Sequence, residues 1–199
     1  MQTQHLFKKT LLAASAAALF AGCGTSAEQA PEMPADEAAQ TTQEQGLLPA
    51  CDPVELEEVA EHACIHAELG PFEPVTAAAN GAPVLVDVSL PHTAYNITLP
   101  AAKYFGYSGR VAFIPEESGE FAFLLSRYRG LRIFEAATGT EVARECRYNV
   151  PGDVCGVLKT GLVADLEAGV EYHLQFQAIA PRNSQFTLLI EEAGHHHEE

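Results

Sequence analysis

Residues 170–178, VEYHLQFQA, place Tyr172, Leu174 and Phe176 on one face and His173, Gln175 and Gln177 on the other. Successive side chains of a strand point to opposite sides, so this alternation marks a strand with one face buried. His173 then points to solvent. The same period runs through residues 185–191 (QFTLLIE), where Phe186, Leu188 and Ile190 alternate, and through 120–126 (EFAFLLS), where Phe121, Phe123 and Leu125 do. Shorter β-like runs cover 83–90, 94–99, 110–114, 131–134, 141–144 and 162–166. Turn residues separate them about every dozen positions, the spacing of an all-β domain. The expected fold is mainly β, an antiparallel β-sandwich of jelly-roll-like type. There is no convincing internal repeat.

One helix is expected ahead of the strands, over residues 52–68 (DPVELEEVAEHACIHAE). Asp52 can cap the first amides, Pro53 suits the first helical position, and Glu55 completes a capping box. Leu56, Val59, Ala60, Ala63 and Ala67 form one apolar stripe, and Gly70-Pro71 ends the helix. His62 and His66 are four apart, so they share a face and can hold one metal ion through their ring nitrogens. His66 borders the apolar stripe; His62 sits further into solvent.

The chain has 199 residues, enough for one domain plus export elements. Lys8 and Lys9 precede a short apolar run at 11–20 (LLAASAAALF), the plan of a secretory signal and too short for a membrane span. Phe20-Ala21-Gly22-Cys23 resembles a bacterial lipobox, in which the cysteine is lipidated and becomes the mature N-terminus. Residues 1–22 are then a signal peptide and Cys23 a membrane anchor. Gly24 follows where an aspartate would favour the inner membrane, so the expected location is the outer membrane, facing periplasm or cell surface. Residues 23–46, rich in Ala, Glu, Gln, Thr and Pro, read as an acidic disordered tether. Residues 47–192 hold the helix and sandwich, and 193–199 a His-rich tail.

Loss of residues 1–22 takes two lysines and no acid, leaving a mature net charge of −18. Such a surface repels nucleic acid and anionic headgroups and attracts cations. Cys51, Cys64, Cys146 and Cys155 remain, an even number in an exported chain, so two disulfides in one of three pairings are expected. The absence of C-x-x-C argues against a redox motif or zinc ribbon. The tail EEAGHHHEE at 191–199 offers His195, His196 and His197 between carboxylates, and imidazole suits zinc, copper, nickel and cobalt. Neutral imidazoles bind and protonated ones release, so binding should weaken as pH falls.

Two resemblances add to this. The segments YNITLP…GRVAFIPEESGEFAFLLS and LEAGVEY (166–172) resemble bacterial pre-peptidase-C-terminal-like β-sandwiches over about residues 90–192, which implies an accessory, non-catalytic module. Ala63-Cys64-Ile65-His66 with Gly70-Pro71, then His92-Thr93-Ala94-Tyr95, Cys155 and the terminal histidines, is similar to a group of small uncharacterised bacterial lipoproteins with A-C-x-H, H-T-x-Y and a His-bearing C-terminus. These are suspected metal binders. The resemblance implies His66, His92, His195 and His197 as ligands, with His62 and His196 as alternates. It matches its cysteines to Cys64 and Cys155, leaving Cys51 and Cys146 as an additional pair.

No catalytic set stands out: G-x-S-x-G, H-E-x-x-H, P-loop and dinucleotide fingerprints are all absent from the sequence. The expected function is therefore non-catalytic. It is binding of a transition-metal ion, zinc first with copper or nickel behind it, for buffering, sensing or delivery to a transporter. The alternative is a carbohydrate-binding or adhesion module of the cell envelope. Tyr104, Phe105 and Tyr107 (KYFGY) could stack on sugars, although they are expected to plug a loop into the core.

Overall fold

The computed structural model describes residues 48–127 and 130–194. The signal, Cys23, the tether and His195, His196 and His197 lie outside the described residues. The described chain starts with helix α1 (Pro53–Leu69), followed by β1 (Phe72–Thr76), β2 (Ala94–Thr98), β3 (Tyr107–Phe113), β4 (Gly119–Leu125) and β5 (Leu131–Glu135). Then come β6 (Glu141–Val142), β7 (Cys146–Tyr148), β8 (Thr160–Leu166), β9 (Tyr172–Ala178), a 3-10 turn at Pro181–Asn183 and β10 (Gln185–Glu192). The strands form two sheets, β1-β2-β10-β4-β8-β7 and β3-β9-β5-β6. All pairings between these strands are antiparallel except β1 with β2, which is parallel.

The alternation read from sequence selects the faces. Phe121, Phe123 and Leu125 of β4, Tyr172, Leu174 and Phe176 of β9, and Phe186 and Leu188 of β10 meet between the sheets in one core. The opposite face of the six-stranded sheet is covered as well. Ala122, Leu124, Val163 and Leu189 pack there against Leu56, Ala60, Ala63 and Ala67 of α1. The helix lies on β10 and β4. An alanine-lined helix can approach a sheet closely, but each alanine buries little, on the order of 0.8 kcal/mol per methyl-sized group. Two disulfides reinforce the region: Cys64 of α1 bonds Cys155, and Cys51, just before the helix, bonds Cys146 of β7.

The helix has the expected ends. The Asp52 side chain accepts a hydrogen bond from the Val54 amide at 2.9 Å. Gly70 closes the helix at φ 79°, its amide donating to the His66 carbonyl at 2.9 Å. A side chain there would be strained, which is why helices favour glycine at this point.

Some expectations need correction. Residues 83–90 form no strand: Val86 and Val88 bond only to Ala112, making a single bridge beside β3. The strand β1 was not legible, because Pro74 lacks an amide; as an edge strand it tolerates the loss. The expected run at 141–144 shortens to β6, and β7 is a short edge strand that no alternation announces. Tyr107 packs against the core, whereas Tyr104 and Phe105 are 89% and 75% exposed. The loop there is held by its own backbone, Ala102 to Gly106 and Ser108 to Pro100, and needs no buried ring.

Candidate metal centre

Three elements bring four donors together. The helix supplies His62 and His66 one turn apart. The loop entering β2 supplies His92, and the end of β10 supplies Glu191. One ligand atom from each of the four lies within 4.8 Å of all the others. The three imidazole centroids are 4.9–5.0 Å apart.

His92 reaches the helix because β1 and β2 run parallel from the point where α1 ends. The Ala94 amide donates to the Pro71 carbonyl at 2.9 Å, so the start of β2 is fastened beside the helix C-terminus. Thr93 Oγ1 donates to the Pro91 carbonyl, and the Leu90 amide donates to the Tyr95 hydroxyl. His92 itself has φ 51°, a left-handed backbone at a residue other than glycine. That conformation costs about 1–2 kcal/mol for an L-residue. A glycine would relieve it, so a histidine at this position is a strained choice that a use for its ring would explain.

Glu191 is the buried member of the set. On β10, Phe186, Leu188 and Ile190 face the sandwich interior, which puts Leu189 and Glu191 on the opposite side, beneath α1. The residue is 7% exposed. Its Oε2 lies 3.5 Å from His92 Nδ1 and 3.6 Å from His62 Nδ1. Its Oε1 is buried with no hydrogen-bond partner among the described residues.

The proton positions follow from the partners. His66 Nδ1 is 3.3 Å from the Gly70 carbonyl oxygen. A carbonyl only accepts, so Nδ1 carries the hydrogen and Nε2 presents a lone pair. Fixing a ligand's tautomer through its other nitrogen is the usual outer-sphere device in metal sites. His66 Nε2 is 3.2 Å from His62 Nε2. If His62 donates there, its Nδ1 also turns a lone pair toward Glu191. With Glu191 ionised, the centre then holds more lone pairs than hydrogens, a surplus that a cation would resolve.

Titration favours the metal-ready state of His62. Burial, then the neighbouring His66 and His92, lower its pKa and keep the ring neutral. Burial pushes Glu191 up to about 7, with His66 opposing and Glu192 adding to the shift. A tetrahedral zinc with bonds of about 2.0–2.1 Å holds its donors about 3.3 Å apart. The 3.5 and 3.6 Å contacts from Glu191 Oε2 to Nδ1 of His92 and of His62 are close to that edge, while the 3.2 Å contact to His66 uses the other nitrogen of His62. Three imidazoles and a carboxylate suit zinc, cobalt, nickel or copper(II), and a site without thiolate or thioether is a poor one for copper(I).

The structure thus joins His66 and His92, brings in His62, an alternate on sequence grounds, and adds Glu191. In the sequence Glu191 stands at the head of the carboxylate-rich tail, and neither its spacing nor the resemblance assigns it a ligand role. His173 is elsewhere, on β9, with Nε2 at 3.2 Å from Glu171. Comparison of the sequence with protein-family models and with curated proteins finds no match. What the centre does must be read from its own chemistry.

Proposed function

We propose that this protein binds one divalent transition-metal ion, zinc first, at His62, His66, His92 and Glu191. The observation that carries this reading is the convergence of four donor side chains from three separate elements within 4.8 Å. The left-handed His92 and the unpartnered Glu191 oxygen support it independently. The site acts by holding and releasing metal rather than by catalysis: buffering, sensing or delivery to a transporter. We further propose the setting read from the sequence, a lipid anchor at Cys23 with the domain held off the outer membrane. The four donors suffice for a tetrahedral ion, and we further propose His195, His196 and His197, outside the described residues, as additional imidazole ligands. Zinc titration by calorimetry on the chain from Gly24 tests this. One tight site that His62→Ala, His66→Ala, His92→Ala and Glu191→Gln each weaken supports it; uptake indifferent to all four overturns it.

Carbohydrate binding is the second reading. Tyr104 and Phe105 stand out from the surface with Ile179, itself 73% exposed. Glycan binding that persists with metal chelated and is lost in Tyr104→Ala would favour it.

A further inference from the structure

We propose that the acidic groove beside the histidine cluster is the docking and exchange face for a cationic, imidazole-bearing segment of an acceptor protein. The inference rests on the metal-binding reading and names its partner.

The groove has a volume of about 1100 Å³ and runs between the first half of α1, residues 88–92, the turn joining β3 to β4, and the end of β10. Its wall includes Glu55, Glu58, Glu116, Glu117, Glu120 and Glu192, and among the described residues lining it there is neither lysine nor arginine. Acidic surfaces are commonly just solvated, but here the groove leads to the metal donors. His62, His92 and Glu191 form part of its wall. Glu191, 7% exposed, lies in this wall, and its Oε1 has no hydrogen-bond partner among the described residues.

The exposure of the donors sets the order of exchange. The side chains of His62 and His92 are 48% and 54% exposed, while Glu191 is buried. An incoming neutral imidazole would displace one of the two open histidines first. A metal–nitrogen bond to the acceptor forms as the bond to His92 or His62 breaks; no electron moves and the ion keeps its charge. Glu191 and His66 release last. Carboxylate walls attract a basic segment and repel an acidic one, so they act on encounter rate and partner choice.

Cobalt(II)-loaded full-length protein tests this, since cobalt's visible absorption reports its coordination. Two synthetic acceptors are mixed with it in stopped flow, one with histidines among lysines and one with the same histidines among glutamates. The expected result is a release rate that rises with the concentration of the lysine peptide and falls with salt. A Glu58→Gln, Glu116→Gln, Glu117→Gln variant should slow it about tenfold, at the low end of electrostatic steering, with equilibrium cobalt affinity unchanged. Release at one rate whatever the acceptor, or equal rates for both peptides, overturns the groove proposal alone. Failure to take up cobalt or zinc at all overturns the metal-binding reading, and the groove proposal with it.

Discussion

Glu191 Oε2 lies 3.5 Å from Nδ1 of His92, joining the end of the last strand to the loop that leads into the second. The contact exists because α1 covers the outer face of the six-stranded sheet. Without the helix, Glu191 would be an outward-facing, solvated carboxylate. Beneath the helix it becomes a buried acceptor with three imidazoles within reach.

Replacing that carboxylate separates binding from stability. Glu191→Gln should reduce zinc affinity by about 100-fold or more, the upper end of what outer-sphere partners alone command. The metal-free variant should be at least as stable as the parent at neutral pH, because a buried charge is replaced by an isosteric amide. Calorimetric titration and chemical denaturation of the metal-free protein check the two halves.

The raised Glu191 pKa predicts the sign of a pH effect on the metal-free protein. The folded state holds this proton up to about pH 7, and the unfolded chain loses it near 4.5. Its stabilising contribution is therefore complete below the unfolded value and lost as pH rises through 7. His62 acts in the opposite sense: its lowered pKa costs stability as pH falls below the ordinary histidine value of 6.5. The difference between parent and Glu191→Gln across this window isolates the carboxylate. It should decline with rising pH by up to about 3 kcal/mol; a flat difference contradicts the assignment.

Zinc binding should weaken on acidification for a related reason. Binding requires Glu191 ionised and the imidazoles neutral, so each displaced proton costs about tenfold in affinity per pH unit. Affinity measured at pH 7.5 and again two units lower should differ by about 100-fold or more. At neutral pH, titrations in buffers of different ionisation enthalpy should detect proton release.

His92→Gly distinguishes a ligand from a loop residue. The left-handed backbone is relieved, while glycine adds unfolded-state entropy, so stability should change by less than about 1 kcal/mol. Zinc affinity should fall sharply. A variant that binds as tightly as the parent would leave the strained backbone without a reason.

The two disulfides should differ in their effect on the site. Each closes a long loop, with sequence separations of 95 for Cys51–Cys146 and 91 for Cys64–Cys155. Removing either should cost about 2–5 kcal/mol. Only Cys64 lies on the helix between His62 and His66, so the Cys64→Ala, Cys155→Ala pair should also weaken zinc binding in protein that remains folded. The Cys51→Ala, Cys146→Ala pair should leave it nearly unchanged.

Much of this arrangement is present in local patterns. Alternation along β4, β9 and β10 determines which residues meet between the sheets, because strand geometry repeats every second residue. The capping Asp52, the apolar stripe and Gly70 determine the helix, and its period places His62 and His66 on one face. What the pattern could not supply was the second layer. Ala122, Leu124 and Leu189 are apolar at positions that alternation assigns to solvent, and they were the available sign that something covers that face. The family resemblance implied the pairing of Cys64 with Cys155 and a site joining His66 to His92, and both are present; only the tertiary structure decided that α1 lies there and that Glu191 arrives beside the three histidines. Periodicity specifies which way a side chain points from its own element; which element it meets depends on how the layers pack.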